Sequence, residues 1–375
     1  VGVAMIIVDA TIVNVALPSI IREFDLALAD AEWINSIYSL VFAALLITLG
    51  KVGDMYGRRR MFMIGLVIFV GASMMAGLAT DGSSLIAARF LQGVGAAVIL
   101  PATLSTVNAT FQGKERGIAF GVWGSVIGGM AALGPLLGGW LTTEHSWRWA
   151  FYINLPIGAV ALIGTVMWVR ETRDTELQRG FDIPGILLSG IGLAAVVFSL
   201  IEGPRLGFFQ QIDAFNAGPF AWPEHWISPV VATFVLGVLL LIGFVLNEKV
   251  RAERGRAVLF DLALFRFKSF SLGNSAAATL SLGEFGLVFV LPLFLQAVLG
   301  YSAFRTGLLL LSLAIGAFIG GPTAGILATK IGPRRVVSAG MGMEAVAILA
   351  VALLIAPEQS GCCLLYTSDA ADDTQ

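Results

Sequence analysis

The sequence predicts an all-α polytopic membrane protein, and three observations support this fold class. Hydrophobic residues form 57% of the 375-residue chain and charged residues only 13%, whereas a soluble domain carries about a quarter charged residues. The apolar residues are gathered into runs of about 20, the length that crosses a bilayer as a helix. Lys and Arg concentrate in alternate connections between these runs. The composition therefore excludes a soluble globular protein, and the mean hydropathy of +0.87 agrees.

The apolar runs define eleven predicted spans. They are helical because lipid offers no hydrogen-bond partner to open strand edges. They cover residues 1–21, 33–50, 61–79, 84–106, 117–142, 148–169, 183–202, 227–247, 270–299, 304–328 and 336–356. The chain opens inside the first run, so we expect the start to be truncated.

The basic residues predict the orientation of these spans. Of the 23 Lys and Arg residues, 18 lie in alternate loops and four in the opposite loops. Loops rich in Lys and Arg stay on the cytoplasmic side. We therefore expect a multi-pass protein of the cell membrane whose N-terminus is cytoplasmic.

A short segment rich in glycine and arginine occurs twice. It reads GKVGDMYGRRR from Gly50 to Arg60 and GILATKIGPRR from Gly325 to Arg335. Each copy joins two apolar runs, which indicates a transporter built from two related halves. The copies follow spans 2 and 10, whereas twelve-span transporters of this kind repeat after six spans. The offset of eight predicts two inserted spans and fourteen spans in the intact protein.

Five stretches occur in order along the chain. They are Asp9–Pro18 in span 1, the first Gly/Arg segment, Arg89–Gly93 in span 4, Gly134–Gly139 in span 5 and Trp147–Pro156 at span 6. Together they resemble the major facilitator superfamily, specifically the fourteen-span drug:proton antiporters of the EmrB/QacA type. The likeness covers residues 1–356. The chain departs from the family pattern at Thr329, where the first segment has Asp54, and at Met130, where members often have Gly.

The resemblance implies a major facilitator fold of two six-helix bundles plus two inserted helices, with about 11 of 14 spans present. The implied domains are an N-terminal bundle (1–169), a cytoplasmic loop (170–182), two inserted spans (183–247) with an outer loop (203–226), a cytoplasmic amphipathic linker (248–268), the first three spans of the C-terminal bundle (269–356) and a tail (357–375). The linker suits a helix lying on the inner membrane surface.

The tail is read as non-native because its ending, CCLLYTSDAADDTQ, resembles translated sequencing adapter. The alternative is an ordinary polar terminus. The only cysteines, Cys362 and Cys363, are adjacent and provide neither a disulfide framework nor a cysteine metal site.

Asp9 and Arg89 are charged residues inside predicted spans. A charge at mid-bilayer costs about 2.5–3.5 kcal/mol on insertion scales, so such residues face water or one another. Counting the helical rise from the span ends places Asp9 deeper than Arg89. A water-linked or conformation-dependent contact is therefore expected in place of a permanent direct ion pair. The resemblance implies that both residues belong to the proton-coupling machinery, and a static pair that fixes helix packing is the alternative.

Other polar residues inside spans are candidates for a substrate or proton cavity. They are Asn14, Gln92, Glu284 and Glu344, and Asn35 and Asn154 are polar in the same way. For the amides the alternative is a hydrogen bond between helices. For Glu284 and Glu344 it is a carboxylate that serves packing or lines a cavity wall.

The first Gly/Arg segment is implied by the resemblance to be a cytoplasmic latch between the two halves. Its residues are Gly50, Gly53, Asp54, Gly57, Arg58 and Arg59. The alternative is a topology anchor, since arginines hold a loop inside regardless. The resemblance also implies a functional bend in span 5, and simple close packing is the alternative. The bend comprises Gly134, Pro135, Gly138 and Gly139.

The expected activity is transport and not enzymatic catalysis. The chain lacks a phosphate-binding G-x-x-x-x-G-K-[ST] loop, so ATP is not the expected energy source. The resemblance implies that a proton gradient supplies the energy, and no cofactor or metal is expected. The resemblance implies multidrug efflux of small lipophilic or cationic compounds. Expected partners are the small-molecule substrate, protons and the lipid bilayer, and not nucleic acid; a periplasmic adaptor is left open. The alternatives are a narrow exporter of a lipid precursor, siderophore or metabolite, a non-transporting sensor or scaffold, and an inactive fragment.

Overall fold

A computed structural model describes residues 1–26, 28–173, 182–213, 216–217, 220–222, 227–301 and 303–355. The helices are α1 (Gly2–Phe24), α2 (Leu28–Tyr56), α3 (Arg58–Gly77), α4 (Gly82–Thr110), α5 (Gly113–Glu144), α6 (Trp149–Tyr152), α7 (Asn154–Trp168), α8 (Ile183–Leu206), α9 (Pro229–Glu253), α10 (Lys268–Leu293), α11 (Ala303–Ile331) and α12 (Pro333–Ile355). The predicted tail with Cys362 and Cys363, and the loop residue Arg179, lie outside these ranges.

The all-α polytopic prediction is confirmed. Within the described residues, ten helical segments are long and apolar enough to cross a membrane, with α6 and α7 counted as one. The other predicted span, 270–299, corresponds to α10, which is followed by a π-helical turn at Phe294–Val298. The strands β1 (Asn216–Ala217) and β2 (Phe220–Ala221) pair antiparallel in the predicted outer loop.

Local sequence explains where individual helices begin. The Asp81 carboxylate accepts a hydrogen bond from the Ser84 amide at 2.8 Å, and the two residues form a capping box that starts α4. This amide, together with the Ser84 hydroxyl, holds the pKa of Asp81 below its usual range. Gly57 separates α2 from α3 with φ of 117°, a conformation that only glycine adopts readily.

The structure differs from the sequence prediction in the linker 248–268. No amphipathic helix lies between the spans, because α9 continues to Glu253 and the chain then turns at Gly255 with φ of 64°. A short 3₁₀ helix, Leu262–Arg266, precedes α10. Buried Glu248 accepts hydrogen bonds from the amides of Leu259 and Phe260 at 3.2 Å, so this backbone is not free to form helical bonds.

The helix packing places the tightest core around α1 and α4. Helix α4 packs on α2 and α3, α1 packs on α5 and approaches α7, and α11 packs along α5. Buried apolar side chains between α1, α3 and α4 include Met5, Phe69 and Ile99. Glycines such as Gly95 bring α4 against the α3 backbone, where an added Cβ would lie 2.8 Å from the Phe69 nitrogen. Small residues thus allow close helix contact, as in other membrane proteins.

Candidate functional site

Asp9 and Arg89 form a direct ion pair in the interior of the protein. Arg89 Nη1 lies 2.5 Å from Asp9 Oδ2, and neither side chain is exposed to solvent. The contact is therefore direct and not water-linked in this conformation, and whether it depends on conformation stays a prediction. Counting residues from span ends assumes helices that start at equal depths and run perpendicular to the membrane. The 2.5 Å contact shows that this assumption does not hold for α1 and α4.

Two amide side chains complete the coordination of the Asp9 carboxylate. Its Oδ1 accepts hydrogen bonds from Gln92 Nε2 at 3.0 Å and from Asn154 Nδ2 at 2.7 Å. Gln92 also accepts from Arg89 Nη1 at 2.9 Å, and Arg89 Nε donates to the Ile34 carbonyl at 3.1 Å. The carboxylate and guanidinium are thus both paired and hydrogen-bonded, the condition under which buried charges are tolerated.

The network extends to α2 and α3 through Tyr38 and Ser73. The Ser73 hydroxyl accepts from Gln92 at 2.7 Å and from Asn154 at 3.2 Å, and donates to a carbonyl of its own helix. The Arg89 guanidinium carbon lies 4.3 Å from the Tyr38 ring centroid, within cation–π range. Five helices, α1 to α4 and α7, therefore converge on one ion pair.

Sequence reasoning did not single out Ser73 or Tyr38 because one hydroxyl in an apolar span resembles any other. Asn154 carried a signal, since it lies in the span 6 stretch that resembles the family. Gln92 was predicted as a cavity residue and is completely buried in the ion-pair network.

The remaining cavity candidates lie away from this network. Exposed Asn14 accepts a hydrogen bond from Asn35, which links α1 to α2. Glu284 Oε1 on α10 approaches Gly128 of α5, where an added Cβ would lie 3.1 Å away. Glu344 Oε1 on α12 has no hydrogen-bond partner among the described residues and lies against α10. The structure thus separates the pair on α1 and α4 from the carboxylates on α10 and α12.

The predicted latch is a structured turn between α2 and α3. Asp54 Oδ1 accepts from Arg58 Nε at 2.8 Å across one helical turn. The Glu171 carboxylate, from the loop after α7, accepts from the amides of Arg59 at 3.1 Å and Arg60 at 3.2 Å. Arg59 Nη2 donates to the carbonyl at the end of α7, at residue 166, at 2.9 Å. The latch role stays a prediction, but these bonds join the Gly/Arg segment to the end of α7.

Replacing Glu171 by Ala is expected to destabilise the protein by about 1 kcal/mol. The carboxylate caps the N-terminus of α3, and loss of such a cap costs 0.5–2 kcal/mol. Thermal unfolding in detergent measures the effect, and Arg173→Ala in the same exposed loop is the matched control. Equal midpoints for the two variants would contradict the capping role.

Helix α5 carries two glycine faces. Gly134 and Gly138 pack against α1, where an added Cβ at Gly138 would lie 2.9 Å from Ile12 Cγ1, and a Cβ at Gly134 would overlap the Thr11 hydroxyl. Gly121, on another part of the helix, contacts the backbone of Gly321 on α11. Pro135 lies inside the helix and Gly139 is buried. Gly134 and Gly138 of the predicted bend therefore contact α1, and a functional bend remains a prediction.

Replacing Gly321 by Ala is expected to separate α5 from α11. An added Cβ would collide with the Gly121 carbonyl and lie 2.5 Å from Ser125 Cβ, whereas the space around neighbouring Gly320 is open. Overpacking of this kind costs about 1–3 kcal/mol. Cysteine cross-linking between α5 and α11 should fall in Gly321→Ala and persist in Gly320→Ala. Equal cross-linking in both variants would exclude a close backbone seam.

Comparison with known proteins shows which family the chain belongs to. The Major Facilitator Superfamily profile matches residues 1–367. The puromycin resistance protein pur8 of Streptomyces alboniger is 35% identical over 359 residues, 94% of this chain and 66% of that protein. The probable actinorhodin transporter of Streptomyces coelicolor is 33% identical over 365 residues, covering 95% of this chain and 59% of its own length.

A third relative, the multidrug resistance protein Stp of Mycobacterium tuberculosis, is 35% identical over 349 residues, 93% of this chain and 61% of that protein. The chain thus spans about three-fifths to two-thirds of the length of these relatives. A structural comparison with the human organic anion transporter MFSD10 (TETRAN) gives a TM-score of 0.43 at 13% identity, over 92% of this chain and 96% of that one. The present chain has many apolar helices and matches the family profile over residues 1–367. It is therefore a multi-pass membrane protein that belongs to the Major Facilitator Superfamily.

Proposed function

We propose that this protein is a proton-coupled secondary active exporter, an antiporter that works by alternating access. The observation that carries the proposal is the fully buried ion pair between Asp9 and Arg89. Ionisable residues inside membrane helices commonly belong to proton relays or substrate paths. Inward proton flow would drive outward movement of a small molecule through a cavity between two helical bundles.

The geometry supports a link between protonation and conformation. A proton on Asp9 would remove the negative charge beside the buried Arg89 guanidinium. Leaving a buried charge without its partner costs about 3–5 kcal/mol. Asp9 and Arg89 are also sealed from water in this conformation. A proton therefore reaches Asp9 as the helices around the pair rearrange, and its arrival favours a state in which Arg89 is solvated or paired elsewhere.

The proposal includes the topology of the whole protein. The eight-span offset between the two Gly/Arg segments supports fourteen spans, and the 18-to-4 distribution of Lys and Arg supports a cytoplasmic N-terminus in the cell membrane. The first segment would then act as a latch on the cytoplasmic face, and the second bundle would complete the cavity that Glu284 and Glu344 line.

The proposed substrates are small lipophilic or cationic compounds. The name of Stp refers to multidrug resistance, which supports broad specificity. Other names refer to one antibiotic, such as the tetracenomycin C resistance and export protein of Streptomyces glaucescens. These names favour a second candidate function, export of a single compound.

The test uses the full-length gene in an efflux-deficient bacterium. Ethidium extrusion is followed by fluorescence with and without a protonophore. Extrusion that stops when the gradient collapses is the expected result, and extrusion that continues would exclude antiport. Saturable export of one compound without ethidium extrusion would support the narrow exporter.

A further inference from the structure

The turn between α9 and α10 carries an exposed group of basic and aromatic side chains, here named the basic–aromatic turn (residues 254–268). Its basic members are Arg254, Arg256, Arg266 and Lys268, all exposed. None of the four side chains forms an ion pair or hydrogen bond with the described part of the chain. Phe265 and Phe267 lie among them with 53% and 63% of their surface exposed. Free positive charge and exposed aromatic surface are therefore combined in one short segment.

A buried polar cluster holds the backbone of this turn in place. Glu248 is 1% exposed and accepts hydrogen bonds from the amides of Leu259 and Phe260. Arg251 donates through Nε and Nη2 to the Ala257 carbonyl at 3.0 and 2.8 Å, and its Nε lies 3.3 Å from Asp182 Oδ2. These hydrogen bonds fix the backbone of the turn and attach it to α9 and to the residue that precedes α8.

The two exposed phenylalanines of the turn differ in their contacts and in their exposure. Phe265 packs edge-on against Phe270, with ring centroids 5.2 Å apart, and more obliquely against Phe260 at 6.0 Å. Phe267 is the more exposed of the two and immediately precedes α10. An exposed aromatic side chain of this size in water is unfavourable, so the environment of Phe267 is expected to be apolar.

The position of the turn indicates what this environment is. The turn connects α9 to α10, and α9 is a membrane-length helix with exposed apolar side chains such as Leu246 and Val250 near its C-terminal end. The turn therefore lies at the boundary between hydrocarbon and headgroups. Lys and Arg beside Phe and Leu are typical of segments that lie in this interface.

We propose that the basic–aromatic turn binds anionic phospholipid headgroups in the cytoplasmic leaflet. The free Arg and Lys side chains contact the lipid phosphates, and Phe265 and Phe267 insert beside the upper acyl chains. The inference rests on the cytoplasmic location of this turn and not on export activity. A free anion would satisfy the charges but would leave the phenylalanines in water, which favours a lipid.

The test measures lipid binding to the purified full-length protein by native mass spectrometry. Wild-type protein is expected to bind phosphatidylglycerol at least tenfold more tightly than phosphatidylcholine. Each basic residue near an anionic membrane contributes about fivefold in affinity, so Arg254→Gln/Arg256→Gln should weaken phosphatidylglycerol binding by about 30-fold. Phe267→Ser should weaken it as well, because the apolar contact is lost.

The matched control is Arg334→Gln/Arg335→Gln, which removes two exposed basic residues at the start of α12, where the neighbouring sequence contains no phenylalanine. It should stay within twofold of wild type. Equal binding of both lipids, equal losses in the two double variants, full displacement of phosphatidylglycerol by millimolar inorganic phosphate, or tighter binding of an acidic peptide would each overturn the proposal. The lipid-binding experiment does not measure export, so its outcome is independent of the transport assay.

Discussion

Asp9→Asn is expected to abolish proton-driven extrusion and to destabilise the protein by about 3–5 kcal/mol. The substitution keeps the shape of the side chain but leaves the Arg89 guanidinium buried beside a neutral amide. Removing one partner of a buried ion pair is strongly destabilising because the remaining charge is uncompensated. Ethidium extrusion in cells and thermal unfolding in detergent measure the two effects. Glu144→Gln is the matched control, since Glu144 is exposed at the end of α5 and forms no ion pair with described residues.

The double variant Asp9→Asn/Arg89→Gln separates coupling from packing. Both charges are then absent, so no uncompensated buried charge is left, which is the main cost of removing one partner alone. We expect most of the stability to return while proton-driven extrusion stays absent. Recovery of extrusion together with stability would show that the pair only fixes helix packing, and the coupling role would be rejected.

Gly134→Ala is expected to cost about 1–3 kcal/mol and to impair transport severely. The added methyl group would overlap the Thr11 hydroxyl and lie 3.3 Å from the Val8 carbonyl, so α1 and α5 must separate. Because α1 carries Asp9, this separation also disturbs the ion pair. Unfolding midpoints and extrusion rates measure the two consequences.

Gly124→Ala is the matched control in the same helix. No atom lies within 4 Å of an added Cβ there, and Ala is favoured over Gly in a helix by about 0.5–1 kcal/mol. Thr11→Ala/Gly134→Ala should recover part of the loss, since it removes the hydroxyl that collides. If Gly134→Ala behaved like Gly124→Ala, the close approach of α1 and α5 would be refuted.

The spans and their helical nature could be predicted because the cause is local. An apolar run of membrane length must satisfy its own backbone in lipid, so it becomes a helix whatever it packs against. The structure agrees for ten of the predicted spans and places a helix at the eleventh. The linker 248–268 was predicted less well, because its own buried carboxylate, Glu248, folds back onto the amides of Leu259 and Phe260 eleven and twelve residues later.

The candidate site was predictable only in part. Asp9 and Arg89 stood out because a charge within an apolar run is visible in one dimension. Ser73 and Tyr38 did not, since their role appears only when α2 and α3 are placed against α4. Likewise, the glycines of α5 form one dense run in the sequence. Only the structure shows that some of them contact α1 and others contact α11.

The sequence by itself determined the membrane class, the helices, the repeated Gly/Arg segment and the unusual charges. Only the tertiary structure decided that Asp9 and Arg89 touch, and which glycines face which helix. Hydrophobicity and backbone hydrogen bonding act along one helix, so they can be read from consecutive residues. Contacts between helices depend on tilt, depth and rotation, which are set by all the packed neighbours together.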